Sequence, residues 1–294
     1  MIRFVHFAIL VFSAVTVGLV GAQERLLERR TSEFNEILVS ENADGLRILR
    51  FEPGGARQTV VKPGDPEHLE LPYARAIPVG LALAERPQRV LVVGLGGGTI
   101  PSMFRKHLPD LQIDAVELDP EVVRVAKQYF GFREDAAMRA YVQDGRKFIE
   151  QRKNVYDVIF LDAFSADNIP YALSTQEFLK SVRDALMPRG LVVGNIWSRS
   201  SNWMYDSMIR TYLEVFDDVY IVDVQGAGNK LVLGLTWNAR LDRQQASERA
   251  AAFSRRLGLR YDLGRLVAYG FRPPGDDGAN GRVLRDGDRE NERQ

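Results

Sequence analysis

The sequence predicts an α/β protein whose main part is a Rossmann-like parallel sheet, and three observations support this prediction. From Arg89 onward, short apolar runs alternate with amphipathic stretches of helical length, as in repeated β–α–β units. The first of these apolar runs, at 90–93, leads directly into a glycine-rich turn, GLGGG. The next apolar run ends on an acidic residue, Glu117, about twenty residues beyond that turn.

The apolar runs and the stretches between them define the elements of the main domain, which is expected to span 71–270. Strands are predicted at 90–93, 112–117, 139–142, 156–161, 190–196, 218–223 and 230–236. Helices are predicted at 99–107, 120–130, 145–152, 174–186, 200–215 and 242–257. The last two strands are joined by a stretch too short for a crossover helix, so they should pair antiparallel. A seven-stranded sheet that ends in one antiparallel pair is the class I S-adenosylmethionine methyltransferase-like architecture.

A smaller unit precedes this domain. Alternating runs at 34–41, 46–51 and 58–62, separated by turn residues, predict a small antiparallel β-meander within 33–70. A polar helical spacer is expected before it, at 24–32, and a helix interrupted by Pro78 should follow it. The tail at 273–294 is rich in Gly, Asp, Arg and Asn and is expected to be disordered, because it has too few apolar residues to form a core.

The composition excludes several classes of site. Lys plus Arg and Asp plus Glu both number 39 among the 294 residues, so no overall field favours nucleic acid, and no nucleic-acid partner is expected. The absence of cysteine excludes disulfides and thiolate chemistry. The three histidines are not spaced as ligands, so no metal site is expected.

The N-terminus contains a mostly apolar stretch at 4–22, within a segment 1–23 that is read as a signal or a membrane anchor. Val20-Gly21-Ala22 has the small-residue pattern of a signal-peptidase site, which indicates an exported, periplasmic protein. As a helix the stretch would span about 28 Å, enough for a marginal anchor. Several Arg residues follow it and would keep the domain cytoplasmic. The sequence leaves both locations open.

The glycine turn and the acid beyond it predict a nucleoside site. Gly94, Gly96 and Gly98 let the backbone turn sharply and approach a ligand at the N-terminus of the next helix. Glu117 is placed to accept both hydroxyls of a ribose. The alternative is that the glycines merely allow close packing of the helix. No Lys follows the turn, so it is not a phosphate-binding Walker A loop.

Further acidic residues follow the third and fourth strands, at the edge where open α/β sheets bind ligands. Asp144 and Gly145 follow the third strand, where the carboxylate either accepts from an adenine amino group or caps the next helix. Asp162 follows the fourth strand and is a candidate general base or anchor for a cationic substrate. The alternative for Asp162 is a cap on the loop backbone. The loop after it contains Ser165 and Asp167.

These residues carry a family resemblance, because from Phe34 to Trp237 the chain resembles the spermidine synthase (polyamine aminopropyltransferase) family. The resemblance implies decarboxylated S-adenosylmethionine, or S-adenosylmethionine itself, as co-substrate, a polyamine as acceptor, no metal, and a homo-oligomer as a common state. It also implies individual roles: Gln58 at the nucleoside, Tyr73 at the substrate, VLVVGLGGG as the cofactor turn, Glu117 at the ribose, Asp144 in QDG at the adenine, and Asp162 as acceptor of the amine's proton.

The chain departs from the family pattern at several positions. Gly97 stands where the family turn has an Asp that holds the aminopropyl ammonium of the decarboxylated donor. Ser165 replaces a second Asp, with Asp167 displaced by two positions, and both are carried over as substrate-side residues. Ala74 replaces a Gln, and Asn195 replaces an acidic residue. These changes resemble a divergent branch of the family.

Three functions are therefore weighed. The leading one is transfer of an aminopropyl group from decarboxylated S-adenosylmethionine to a polyamine. The alternatives are an S-adenosylmethionine-dependent methyltransferase, which the glycine at position 97 favours, and a non-catalytic nucleoside-binding module.

Overall fold

The structure is a computed structural model and describes residues 24–164 and 169–290. The apolar stretch at 4–22 and the loop residues Ser165 and Asp167 lie outside the described residues. Within the two described ranges, every helix is too short or too polar to traverse a bilayer.

The smaller unit is an antiparallel sheet of four strands in the order β1-β2-β3-β4. Its strands are β1 (Arg25–Thr31), β2 (Glu36–Glu41), β3 (Arg47–Arg50) and β4 (Arg57–Val61). The prediction of a helical spacer at 24–32 is wrong, because this stretch forms β1. The strand lies at an exposed edge and pairs through polar side chains, as where Arg25 contacts Glu41 opposite it at 3.0 Å. It therefore lacks the apolar alternation that identifies a strand from sequence.

The main sheet has eight strands in the order β12-β10-β11-β9-β8-β5-β6-β7. The strands are β5 (Arg89–Val93), β6 (Gln112–Glu117), β7 (Met138–Val142), β8 (Tyr156–Leu161), β9 (Leu186–Trp197), β10 (Asp218–Asp223), β11 (Asn229–Leu235) and β12 (Phe271–Arg272). Strands β5 to β9 pair in parallel, and β11 lies antiparallel between β9 and β10. The predicted architecture and its antiparallel pair are confirmed. The eighth strand, β12, has two residues and is too short for a periodic pattern.

Helices cover both faces of the main sheet. They are α1 (Pro72–Ala76), α2 (Val79–Leu83), α3 (Thr99–His107), α4 (Pro120–Tyr129), α5 (Gly145–Glu150), α6 (Gln176–Ala185), α7 (Tyr205–Val215), α8 (Arg243–Leu257) and α9 (Leu263–Gly270). Side chains of β5 alternate between the two resulting cores: Val90 and Val92 pack on one face and Leu91 and Val93 on the other. Burial on both faces accounts for the unbroken apolar runs of these strands.

The small sheet docks on the main domain through α4. Ile37, Val39 and Leu49 of the small sheet are buried against Val122 and Val125 of that helix. The shared apolar cluster places β4 beside the turn that follows β5, which matters for the site described below.

The expectation of a disordered tail is wrong as far as residue 290. Leu284 is 1% exposed and packs in the core on one face of the main sheet. Its backbone N–H donates to Thr211 Oγ1 at 3.0 Å, and its carbonyl accepts from the N–H of Gln176 at 2.8 Å. Asp286 accepts two hydrogen bonds from the guanidinium of Arg146, at 2.6 and 2.7 Å. One buried leucine and these polar contacts fix a segment whose composition alone predicts no core.

We expect Leu284→Ala to lower the free energy of unfolding by about 2–4 kcal/mol, because it removes a buried side chain and leaves a cavity. Chemical denaturation followed by circular dichroism measures the change. Leu213→Ala is the matched control, since Leu213 is 40% exposed and should lose little. Equal stability of Leu284→Ala and wild type would mean that the tail does not pack in solution.

Candidate active site

A cavity of about 340 Å³ lies at the carboxyl ends of strands β5 to β8, the edge where open α/β sheets bind ligands. Most of the described residues predicted for the site line it: Gln58, Tyr73, Gly94, Gly96, Glu117, Asp144, Gly145 and Asp162. Gly98 does not line the cavity. We call this space the nucleoside cavity.

Glycine is required at positions 94 and 98 of the turn for different structural reasons. Gly94 has φ +90°, and a Cβ there would lie 2.4 Å from the carbonyl oxygen of Asp162, so no side chain fits between β5 and β8. Gly98 caps α3 with φ +74°, and a Cβ there would lie 2.6 Å from the ring of Phe132. The packing interpretation therefore suits Gly98, whereas Gly94 shapes the floor of the cavity.

Thr59, which follows Gln58 in β4, connects the small sheet to the glycine turn. Its Oγ1 accepts a hydrogen bond from the N–H of Gly97 at 2.8 Å. A Cβ at position 97 would lie 2.5 Å from Thr59 Cγ2 and 2.9 Å from the ring of Phe130. The space that an aspartate at this position would need is thus filled. Thr59 is not predicted from the sequence, where its place directly after Gln58 is the one available signal.

Glu117 ends β6 with its carboxylate fixed by backbone donors. The N–H of Leu95 donates to Oε2 at 2.9 Å, and the N–H of Asp119 donates to Oε1 at 3.1 Å. Burial raises the pKa of Glu117, although these backbone hydrogen bonds act in the opposite direction. Each oxygen keeps a lone pair for a further donor, as binding of a diol would require.

The loop after Glu117 is held by Asp119, which is fully buried. Its Oδ1 caps α4 by accepting from the N–H of Glu121 at 2.9 Å. Its Oδ2 accepts from the hydroxyl of Ser32 and, at 3.1 Å, from the side-chain amide of Asn35. This carboxylate therefore ties the edge of the nucleoside cavity to the small sheet.

Asp144 and Gly145 follow β7. Asp144 caps α5, because its Oδ1 accepts from the N–H of Lys147 at 2.9 Å, and it also lines the cavity. The capping and adenine-binding interpretations are thus compatible. A Cβ at Gly145 would lie 2.7 Å from Val93 Cγ1, so this glycine lets α5 start close to β5.

Asp162 follows β8 and forms two side-chain hydrogen bonds. The amide of Asn195 donates to Oδ1 at 2.7 Å, and the hydroxyl of Tyr73 donates to Oδ2 at 3.2 Å. Burial raises the pKa of Asp162 to about 7, against the lowering effect of both hydrogen bonds. Burial and the Asp162 charge together hold the pKa of Tyr73 well above its ordinary value. A carboxyl group with this pKa can accept a proton near neutral pH.

A second cavity of about 250 Å³ lies on the other side of Tyr73. Its wall includes Asn195, Asn229 and Trp197, and it shares Tyr73 and Phe164 with the nucleoside cavity. Tyr73 thus lies between the two spaces, and its hydroxyl contacts Asp162, which lines the nucleoside cavity. We call the second space the amine cavity.

The C-terminal segment contacts the wall of the nucleoside cavity through Arg146. Arg146 lines that cavity and donates to the carbonyl of Ala172 at 3.3 Å while it pairs with Asp286. Ala172 and Leu173 line the same cavity. The contact between Asp286 and Arg146 is not predicted from the sequence, because the composition of the tail predicts disorder.

No group of three His, Cys, Asp or Glu side chains in the described part of the chain is arranged to hold a metal ion. The contacts described for the site are hydrogen bonds among backbone amides, carboxylates, side-chain amides and the hydroxyls of Thr59 and Tyr73.

A family model of the spermine/spermidine synthase domain matches residues 71–222, just over half of the chain. The chain belongs to this family. The match covers α1 and the main sheet from β5 to near the end of β10, which includes Tyr73, the glycine turn and Asp162. The family that the sequence resembles is thus confirmed.

Individual relatives agree with this membership. The polyamine aminopropyltransferase of Vibrio vulnificus is 34% identical over 236 residues, which cover 78% of this chain and 77% of the relative. The human eEF1A lysine and N-terminal methyltransferase is 32% identical over 202 residues, or 61% of this chain, but the chain spans 29% of its length. A crystal structure of spermidine synthase in complex with the transition-state analogue AdoDATO has a TM-score of 0.68 at 21% identity, covers 85% of this chain and 86% of that one, and shows the shared fold.

We expect Glu117→Gln to weaken binding of 5′-methylthioadenosine by about 10- to 100-fold, because ribose hydroxyls lose a charged acceptor. Isothermal titration calorimetry measures the affinity. Glu121→Gln is the matched control, since Glu121 pairs with Arg30 and Arg124 outside the cavity. Unchanged affinity in Glu117→Gln would remove Glu117 from the ribose site.

Proposed function

We propose that the chain is an aminopropyltransferase that transfers the aminopropyl group of decarboxylated S-adenosylmethionine to an amine of a polyamine. The observation that carries this proposal is the position of Asp162. Its half-buried carboxyl group lines the nucleoside cavity and accepts a hydrogen bond from Tyr73, which lines both that cavity and the amine cavity. Membership of the spermine/spermidine synthase family supports the same reaction.

In the proposed reaction, the acceptor amine enters as an ammonium ion and must lose a proton before it can attack. Asp162 accepts this proton. The nitrogen lone pair then forms a bond to the carbon beside the sulfonium, the C–S bond breaks, and its electron pair goes to sulfur. The products are a neutral thioether nucleoside and the extended amine. Positioning of the two substrates in adjoining cavities supplies much of the rate.

The raised pKa of Asp162 suits this role. A free alkylamine has a pKa of about 10.4, roughly six and a half units above an ordinary aspartate. Burial raises the pKa of Asp162 to about 7 and so narrows the gap to about three and a half units. Proton transfer from the ammonium then costs less than it would to an exposed carboxylate.

The charges around the nucleoside cavity favour the decarboxylated donor. In the part of the chain that the structure describes, the carboxylates that line it are Glu70, Glu117, Asp144 and Asp162. Among the described lining residues Arg146 is the one Lys or Arg, and its guanidinium is already paired with Glu150 and Asp286. The carboxylate of intact S-adenosylmethionine would lack a free cationic partner and would meet like charges.

Glu70 is the candidate for binding the donor's ammonium group, the role that the family's aspartate has at the position of Gly97. It lies between β4 and α1, lines the cavity, and has its Oε2 3.1 Å from His68 Nε2. We propose that it attracts the aminopropyl ammonium of the donor from this side of the cavity.

A methyltransferase is the second candidate, and Gly97 is the observation that favours it. The filled space around this glycine leaves the turn without the family's aspartate. The similarity to a human methyltransferase points the same way. Such an enzyme would use the same nucleoside cavity but intact S-adenosylmethionine.

We expect Asp162→Asn to bind 5′-methylthioadenosine as wild type does while losing at least about a hundredfold in turnover, because the amine keeps its proton. In wild type, transfer should increase with pH through a midpoint near 7 as Asp162 ionises. Mass spectrometry of products from a panel of polyamines measures turnover. Unchanged turnover in the variant would refute the assignment of Asp162, and nucleoside binding without any product would indicate a binding module.

We expect wild type to bind decarboxylated S-adenosylmethionine at least about tenfold more tightly than S-adenosylmethionine, because opposite charges attract in a partly buried site. Glu70→Gln should reduce this preference, and Glu67→Gln, which removes a carboxylate paired with Lys106 and Arg260 outside the cavity, is the control. Calorimetric titration of both donors gives the ratio. Tighter binding of intact S-adenosylmethionine, with a methylated product, would favour the methyltransferase.

A further inference from the structure

We propose that Asn195, held in orientation by Asn229, is a positioning residue that occupies Oδ1 of Asp162 and so leaves Oδ2 as the atom that takes the proton from the acceptor. This inference rests on the proposed function of Asp162. It adds Asn195 and Asn229, to which the sequence alone assigns no role in the reaction.

The pair is built into neighbouring antiparallel strands. Asn195 lies in β9 opposite Leu231, and Asn229 lies in β11 opposite Trp197, so the two asparagines are diagonal neighbours on the same face of the sheet. They are 2% and 7% exposed. The side-chain amide of Asn229 donates to Asn195 Oδ1 at 2.9 Å, and the amide of Asn195 donates to Asp162 Oδ1 at 2.7 Å.

The hydrogen bond from Asn229 fixes the orientation of Asn195. An asparagine side chain has one acceptor oxygen and one donor NH₂ group. Because Asn229 donates to the oxygen of Asn195, the NH₂ group of Asn195 faces Asp162. An ionised carboxylate in a buried site needs such donors, and turning the amide over would place an oxygen against it.

The two oxygens of Asp162 therefore differ. Oδ1 accepts the shorter hydrogen bond, 2.7 Å from the NH₂ group of Asn195, and this group cannot accept a hydrogen bond back from a protonated Oδ1. Oδ2 accepts a hydrogen bond at 3.2 Å from the hydroxyl of Tyr73, a residue that lines the amine cavity and whose hydroxyl can either donate or accept. A proton that arrives from an amine in that cavity goes to Oδ2, where Tyr73 can turn its hydroxyl and become the acceptor.

Few other groups influence this carboxyl. Among the described residues, the charged side chains that line the nucleoside cavity from other elements are Glu70, Glu117, Asp144 and Arg146, and Arg57 lines the amine cavity. The influences resolved on the pKa of Asp162 are burial, which raises it, and the hydrogen bonds from Asn195 and Tyr73, which lower it. Loss of the Asn195 donor should thus raise this pKa further and move the acidic limb of the rate profile to higher pH.

The family pattern that the sequence resembles has an acidic residue at the position of Asn195. A carboxylate there would place a like charge beside Asp162 and the two would share a proton. With Asn195 in this position, Asp162 has no second carboxylate at residue 195 to share a proton with, and it can ionise near pH 7.

The test measures the pH dependence of kcat/KM for aminopropyl transfer by Asn195→Leu, which removes the donor at similar volume. We expect the acidic midpoint to increase by about one pH unit or more, with kcat at high pH recovering to within about tenfold of wild type. Asn229→Leu, which leaves Asn195 in place but frees its orientation, should shift the midpoint in the same direction by less.

Asn202→Leu is the matched control. Asn202 is also buried, and its side chain contacts the N–H of Met204 and the sulfur of Met208 rather than Asp162. It should lose stability without any shift of the midpoint. A fall in activity of Asn195→Leu with an unchanged midpoint would show a purely structural role and overturn the inference, as would an unchanged profile.

A second readout separates this inference from the proposed function. Carbon-13 NMR of labelled aspartate, with Asp162→Asn used to assign the signal, gives the pKa of Asp162 without turnover. A raised pKa in both leucine variants supports the inference even if no transfer product forms. An unchanged pKa overturns it even if wild type is active. If Asn195→Leu does not fold, Asn229→Leu carries the test.

Discussion

The parallel pairing of β5 with β8 is the constraint on which the site depends. These strands are far apart in the chain, yet the N–H of Asp162 donates to the carbonyl of Val93 at 2.8 Å. Gly94 is therefore pressed against the backbone of Asp162, and a Cβ at this glycine would lie 2.4 Å from that carbonyl oxygen. Turn and carboxyl group become neighbours through backbone geometry alone. Whatever binds on the turn lies next to the group that is proposed to take a proton.

Burial of this carboxyl requires more than the main sheet. The small sheet closes one side through Thr59 at the glycine turn and through the contacts of Ser32 and Asn35 with Asp119. Tyr73 covers Asp162 from α1. Gln58 and Thr59 of the small sheet line the same cavity as Asp162. Because burial is the first cause of the raised pKa of Asp162, we expect this pKa to be sensitive to the docking of that sheet.

The sequence was informative where the signal is local. An acidic residue at the end of an apolar run indicates a carboxylate at the edge of a parallel sheet, and this pattern correctly predicts that Glu117 and Asp162 lie there. Contacts between distant segments leave no such pattern. The bond from Thr59 to Gly97 joins two sheets, and the Asn195–Asn229 pair depends on the register of β9 and β11. The ordered tail is not predicted from the sequence for a related reason, because the buried Leu284 is held by residues that are distant in the chain, such as Thr211.

At Gly97 the chain departs from the family pattern, and neighbouring side chains occupy the space that the family's aspartate would need. Thr59 and Phe130 fill the space beside it, so restoring an aspartate there would collide with both rather than regain a binding group. The cavity keeps its negative character through Glu70, on a different segment. The effect of a charge on a ligand depends on its distance from the ligand and not on which segment of the chain carries it. The proposed preference for a donor with a cationic tail therefore rests on the whole wall of the cavity and not on position 97 alone.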